Sequence, residues 1–307
     1  MHWAKINEVS CVLGMKMLLR LYLGLGKSVF RLIVYPLVFF YVLTQKTARA
    51  ASIEYLHTLK SYSGNKFTGP LLLHVIRHFY AFAESILDKL LIWSGHINKL
   101  QYTVHGFDTL KEKLKQGRGC LLLVSHIGNS DLTRALVDLY KNIPLTILVH
   151  TRHAEKFNRL LNNLGSNGEV NVYQVADFSI GTAMALSEKI SKGELLAIAG
   201  DRVPLGEGGH ITVKFMGRSA NLPIGPYVLA ASLACPLFCL MATKKGRTYH
   251  VRAELLADQV TLERSRRLET IQEMAQKYTD ILERECLFSP YQWFNFYPFW
   301  NHEADNE

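Results

Sequence analysis

Gly119-Cys-Leu-Leu-Leu-Val-Ser-His-Ile-Gly-Asn-Ser-Asp131 decides the fold. Its first six residues are an apolar run of strand length. The next seven hold a histidine, a glycine and an acid five places after the histidine. Apolar residues then recur at helical spacing over 131–140, so the stretch predicts a strand, a tight turn and an amphipathic helix. The same order repeats downstream. Strands over 145–149, 171–175 and 195–199 alternate with helices over 154–164 and 181–190, and the strand ending at Ala199 runs into Gly200-Asp-Arg202. Further on, a strand passes through Val213-Lys-Phe215 and a helix covers 225–234. Strands over 237–241 and 249–255 flank a Lys-Lys-Gly-Arg turn, and a long charged helix covers 261–286. Upstream, residues 48–60 and 70–93 read as helices and Gln101-Tyr-Thr-Val104 as a strand core. Strands and helices alternating at this spacing predict an α/β fold, a largely parallel central sheet flanked by helices.

The 307 residues suit one large domain with an appendage, and 49% apolar against 20% charged composition excludes disorder. The net charge of +9 is uneven: residues 1–60 carry eight Lys/Arg against two acids, or +6 of the total. Basic residues in an apolar context suit an anionic membrane surface. Nucleic acid is not the expected partner, because no basic stripe with interleaved aromatics and no zinc-ligand spacing accompanies the charge. Five cysteines, Cys11, Cys120, Cys235, Cys239 and Cys286, lie mostly within apolar runs and read as reduced thiols of a cytoplasmic domain. His74 and His78, four apart on a helix, have metal-ligand spacing but no third ligand, and read as a helix face.

Leu32-Ile-Val-Tyr-Pro-Leu-Val-Phe-Phe-Tyr-Val-Leu43 is a 12-residue run without a charge, short of the roughly 20 residues that span a bilayer. Arg31, Tyr35 and Tyr41 suit an interface, and Pro36 is expected to kink or interrupt a helix. Residues 1–50 therefore read as a membrane-anchoring helical segment, either a short span or a helix lying in the cytoplasmic leaflet. Basic residues on both sides leave the two open.

In an open α/β sheet, functional groups gather beyond the carboxyl ends of the strands. There His126 is the candidate general base, and Asp131, in the first turn of the next helix, is expected to reach back and fix its tautomer. The competing reading is that Asp131 or Ser130 only caps the helix. Asn129, Arg202 and Arg218 are candidates for holding a thioester oxyanion or an acceptor phosphate or carboxylate, and Arg152 follows a strand in a similar position. Asp201, in the same turn as Arg202, is a further substrate-binding candidate; the competing reading there is a surface turn with an internal Asp–Arg pair. Gly217 marks either close backbone approach to a ligand or a hairpin bend. A serine or thiol hydrolase built on Ser125 or Cys120 is one alternative, although neither lies in G-x-S-x-G. A non-catalytic lipid-binding scaffold is the other.

These blocks in this order, with Pro290-Tyr-Gln-Trp293, resemble the bacterial lipid A late acyltransferases, a branch of the lysophospholipid acyltransferase superfamily. His126 and Asp131 match the H-x4-D/E signature. Ser-His-Ile-Gly-Asn-Ser-Asp resembles the family's His-Phe-Gly-Asn-Trp-Glu, and Gly200-Asp-Arg202, Phe215-Met-Gly217 and Pro223 resemble its later blocks. Asp131 departs from the more usual Glu. The ending Gln292-Trp-Phe-Asn-Phe-Tyr-Pro-Phe-Trp300 replaces a basic one and is more similar to acyltransferases associated with aryl polyene lipid clusters. The resemblance implies a glycerolipid-acyltransferase-like fold over 51–307 and transfer of an acyl group to a hydroxyl of a membrane lipid or glycolipid. It also implies an acyl carrier protein thioester as donor, an inner-membrane site facing the cytoplasm, and no metal or other cofactor.

Overall fold

The computed structural model describes residues 12–64, 68–141, 143–149, 171–174, 180–203 and 209–300. Three helices come first: α1 (Val12–Thr44), α2 (Lys46–Tyr62) and α3 (Leu71–Trp93). Among the described side chains α1 buries Leu19 and a stripe of Phe30, Val34, Val38 and Val42, spaced by four, and it packs towards α3. Tyr35 stacks on Tyr80 of α3 with ring centroids 4.4 Å apart, and Arg31 Nη2 donates to Glu84 Oε1 at 3.2 Å. The helix runs through Pro36, contrary to expectation. Its break falls at Gly26, whose φ of 80° is open only to a residue without a Cβ at little cost. A proline's missing N–H leaves one carbonyl of the preceding turn unpaired, which a helix tolerates more readily than a left-handed residue in its interior.

Among the described residues no single helix is long and apolar enough to cross a membrane. The pair Ser28–Thr44 and Lys46–Tyr62 passes that test only jointly, across a 95° bend.

The remaining elements are β1 (Gln101–His105), α4 (Phe107–Lys115), β2 (Leu121–Val124), α5 (Ser130–Lys141), β3 (Leu145–Val149), β4 (Asn171–Gln174), α6 (Ile180–Ser191), β5 (Leu195–Ala199), β6 (His210–Phe215), β7 (Arg218–Pro223), α7 (Gly225–Leu233), β8 (Leu237–Lys245), β9 (Thr248–Ala257) and α8 (Arg267–Phe288). The expected helix over 154–164 lies outside the described residues. Seven strands form one sheet in the order β1-β9-β8-β2-β5-β3-β4. β8, β2, β5, β3 and β4 run parallel, and β9 turns back on β8 through a hairpin with β1 parallel to it. The sheet is thus mostly parallel and covered by helices, as the alternation predicted. β6 and β7 form a separate hairpin, with Met216-Gly217 as its two-residue turn.

Both faces of the sheet are apolar, as buried parallel strands require. Leu121 and Leu123 of β2 enter one core cluster, while Cys120 and Leu122 enter the other. Buried ion pairs fasten the covering helices. Asp88 of α3 takes Lys244 Nζ at 2.6 Å and Tyr249 Oη at 2.7 Å; Glu285 of α8 takes Arg252 Nη1 at 2.7 Å and Thr243 Oγ1 at 2.6 Å.

Candidate active site

β2 and β5 are hydrogen-bonded parallel neighbours in the register Val124↔Ala199. Two residues beyond each strand, the same offset brings His126 opposite Asp201. His126 Nδ1 lies 2.8 Å from Asp201 Oδ1. Asp201 is fully buried, and its Oδ2 accepts from the His126 backbone N–H at 2.9 Å, Ser125 Oγ at 2.8 Å and Trp293 Nε1 at 3.3 Å. Burial alone would raise the Asp201 carboxyl. His126, Arg202 and the donated hydrogen bonds outweigh it and hold the group well below the usual carboxylate range. An ionised carboxylate only accepts, so Nδ1 carries the imidazole proton and Nε2 keeps its lone pair. Burial pushes His126 below the ordinary imidazole value, helped by the positive charges of Arg202 and Lys89 and opposed by Asp201. At neutral pH the ring is neutral, and its side chain is 34% exposed.

Asp131 is not the partner of His126. Its Oδ1 accepts from Trp93 Nε1 at 2.9 Å and its Oδ2 lies 3.4 Å from Lys89 Nζ, so it ties the start of α5 to α3. The loop geometry accounts for this. Gly128 has a φ of 64°, and a Cβ there would lie 1.8 Å from Ala242 O. Gly128 N donates to Gln292 O and Asn129 N to Ala242 O, so the chain turns onto β8 and carries Asp131 towards α3. Asn129 is the cap of α5: its Oδ1 accepts from the backbone N–H groups of Asp131 at 3.1 Å and Leu132 at 3.3 Å. The cap uses only the acceptor Oδ1 and leaves the amide Nδ2, the atom an oxyanion would need, outside it.

The aromatic C-terminal segment covers the pair. Phe294 N donates to His126 O at 2.9 Å, Arg202 Nη2 to Phe294 O at 3.2 Å, and the Arg202 guanidinium stands 5.5 Å over the Tyr297 ring. Sequence reasoning gave this segment no site role. Its signal was a density of aromatic residues, three of them tryptophan or tyrosine, in a chain end that would otherwise be polar.

A family model for bacterial lipid A biosynthesis acyltransferases matches residues 79–302. The chain belongs to this family. It is therefore an acyltransferase of lipid biosynthesis, and the matched range begins within α3 and takes in both His126 and Asp201. No curated protein matches the chain.

Other expected site residues of the acyltransferase are placed differently. Arg218 Nη1 donates to Glu54 Oε1 at 3.0 Å and Thr58 Oγ1 at 3.3 Å of α2, with its guanidinium 5.1 Å over the Trp300 ring. It fastens the β6–β7 hairpin to α2 and lines a depression of about 350 Å³ with His57, Thr58, Ser61, Tyr62 and Met216, away from the His126–Asp201 pair. Gly217 is the hairpin bend: Met216 and Gly217 both have positive φ, as a primed turn demands, and a Cβ on Gly217 would meet nothing. Arg152 lies outside the described residues.

Both alternative nucleophiles are occupied or inert. Ser125 Oγ donates its proton to Asp201, and burial pushes the Cys120 thiol up to about 12. His74 and His78 are structural. His78 Nε2 meets Trp293 O and its Nδ1 meets Ser52 Oγ, both at 2.9 Å; His74 meets Tyr291 Oη and Thr68 O.

Proposed function

We propose that the acyltransferase moves a fatty acyl group from an acyl carrier protein thioester to a hydroxyl of a membrane lipid or glycolipid, with His126 as general base. The observation that carries this is the His126–Asp201 pair, which leaves Nε2 as a lone-pair nitrogen on a part-exposed ring. The acceptor O–H gives its proton to Nε2 as its oxygen attacks the thioester carbonyl carbon. The tetrahedral intermediate collapses with loss of the carrier thiolate, which takes the proton back from the imidazolium. Asp201 steadies that cation and fixes the ring. Arg202, beside the pair, is the candidate for holding an anionic group of donor or acceptor.

The acyl carrier protein is the proposed donor because the resemblance implies it and the chain's charge of +9 complements an acidic carrier. The aromatic ending supports an acceptor of the aryl polyene branch over a lipid A precursor.

We further propose that the enzyme sits on the cytoplasmic face of the bacterial inner membrane, with α1 in the plane of the leaflet. Outside its buried stripe, α1 exposes Leu32, Leu37, Phe39, Phe40 and Leu43, each more than half accessible, where a water-facing helix surface would be polar. Arg20 precedes this surface and Lys46 and Arg49 follow it, as anionic headgroups favour.

Membranes carrying the enzyme, given labelled acyl-carrier protein and total lipid extract, are expected to form a labelled lipid that is lost with His126→Ala. A folded His126→Ala protein with full transfer would remove His126 as the base.

A further inference from the structure

β8 runs on past the site. Gly128, in the loop that carries His126, is level with Ala242 of β8. Lys245 pairs with Thr248 across the two-residue turn Gly246-Arg247, so the tip of the β8–β9 hairpin begins four residues beyond Ala242. At roughly 3.3 Å per residue the tip stands about 13 Å past the His126 loop. Lys245, Gly246 and Arg247 are exposed, and Lys245 Nζ lies 4.6 Å over the Phe288 ring. Lys99, also exposed, comes two residues before Gln101, which is itself level with Thr248, so it stands beside the same tip. No acid occurs from Gly95 to Phe107 or from Thr243 to Ala253. The carboxylates that reach the foot of the hairpin, Asp88 and Glu285, are buried and taken up by Lys244 and Arg252. The end of the sheet beside His126 is therefore an exposed basic corner.

We propose that Lys99, Lys245 and Arg247 form the docking surface for the acyl carrier protein. This rests on the acyl-transfer reading above and gives its donor a place to land. The carrier is acidic, and exposed cations without acids among them steer and orient such a partner. A carrier delivers its thioester on a flexible pantetheine arm, so the surface that grips it belongs beside the base and not over it. A hairpin tip that stands past the His126 loop meets that need. An anionic membrane would also attract these charges. It is the weaker fit, because Asn98-Lys99 and Lys245-Gly-Arg-Thr248 offer no apolar side chain to enter the acyl boundary, whereas α1 exposes several.

The test compares the full-length wild type with a triple variant, Lys99→Glu, Lys245→Glu and Arg247→Glu, on two donors: acyl-carrier protein and a free acyl-pantetheine thioester. KM for the carrier is expected to rise about tenfold or more with kcat little changed. The kcat/KM on acyl-pantetheine, which has no carrier to dock, should stay within about twofold. A carrier KM within about threefold of wild type overturns the proposal. So does an equal loss on both donors, which would mean damage to the site and not to docking. Cosedimentation with vesicles containing anionic lipid separates the other partner: a triple variant that loses vesicle binding and keeps its carrier KM makes the corner a membrane contact. A wild type that uses acyl-pantetheine and not the carrier removes the carrier as donor, and the docking surface with it. If the wild type uses neither donor, the acyl-transfer reading fails first. Docking is then judged by calorimetric titration of the carrier protein into both forms. Binding about tenfold weaker in the triple variant supports the surface, and equal binding, or none by the wild type, overturns it.

Discussion

Asp201 accepts four hydrogen bonds at a site where the carboxylate is fully buried, and two of them come from His126 itself. Replacing it with Asn keeps the shape but turns one oxygen into a donor that faces Nδ1–H, so the ring flips tautomer and presents the wrong nitrogen. Asp201→Asn is expected to lower kcat by about 10³–10⁴-fold with the fold retained, measured by initial rates beside circular dichroism. The pH profile belongs to the same pair. His126 must be neutral to act, and its value is lowered, so the acid limb of log kcat/KM is expected below the ordinary imidazole value. Arg202 opposes the imidazolium; Arg202→Gln removes that opposition, raises the value, and is expected to move the acid limb to higher pH. An unmoved limb would separate the limb from His126. At this scale the sequence showed the histidine and the acid-bearing turn, since Ser125-His126 and Gly200-Asp-Arg202 each follow an apolar strand. It did not show their pairing. Which strands are neighbours is a non-local fact, and β2 and β5, adjacent in the sheet, have two helices and two strands between them in the chain among the described residues. Five-residue spacing to Asp131 was the nearer and misleading cue.

Elements hold the pair through backbone close approach more than through side chains. The loop after β2 is bonded on one side to Ala242 of β8 and on the other to Gln292 and Phe294. Gly128 permits both contacts. Gly128→Ala would set a Cβ 1.8 Å from a backbone oxygen at a φ open mainly to glycine, so the loop must leave β8. The expected cost is about 2 kcal/mol or more by denaturant unfolding, with loss of most transfer activity. α3 offers a second element-scale case. His78 is fully buried between Ser52 and Trp293 O, and burial pushes it down to about 4. The unfolded chain takes up that proton near 6.5, so stability present above 6.5 is lost as pH falls towards 4. The total is about 3 kcal/mol at 1.36 kcal/mol per pH unit. Urea titrations at pH 7 and pH 4.5 are expected to show that slope in the wild type and a smaller one in His78→Gln. Helices α3 and α6 were legible from apolar periodicity, and strands β3, β5 and β8 from the short apolar runs they bury; β1, exposed along almost its whole length, was legible only as a short stretch of β-favouring residues between glycines. β7 was not, since Arg218-Ser-Ala-Asn has no alternation to distinguish it from a loop.

Across the whole molecule, α1 is the element whose exposure water does not explain. Its buried stripe joins the same core cluster as Leu121 and Leu123 of β2, so the helix is packed onto the body of the enzyme. A helix so packed cannot also be surrounded by lipid, which favours the in-plane arrangement over a span. Its lipid-facing side then holds Phe39, Phe40 and Leu43, 51%, 61% and 54% accessible. Each contributes about 1 kcal/mol when that exposed part enters the acyl boundary, less than the 1.5–3 kcal/mol of a fully transferred side chain. Replacing all three with Ser leaves the buried stripe untouched, so the fold and melting temperature should persist. The partition coefficient onto vesicles containing anionic lipid is expected to fall by on the order of 100-fold, from about 3 kcal/mol at 1.4 kcal/mol per factor of ten. Raised salt should lower it again by screening Arg20, Lys46 and Arg49. Cosedimentation in low and high salt checks both contributions. Unchanged binding of the triple variant at both salt concentrations would place the membrane contact elsewhere. Binding lost entirely in high salt by the wild type would make the apolar face of α1 a protein interface instead.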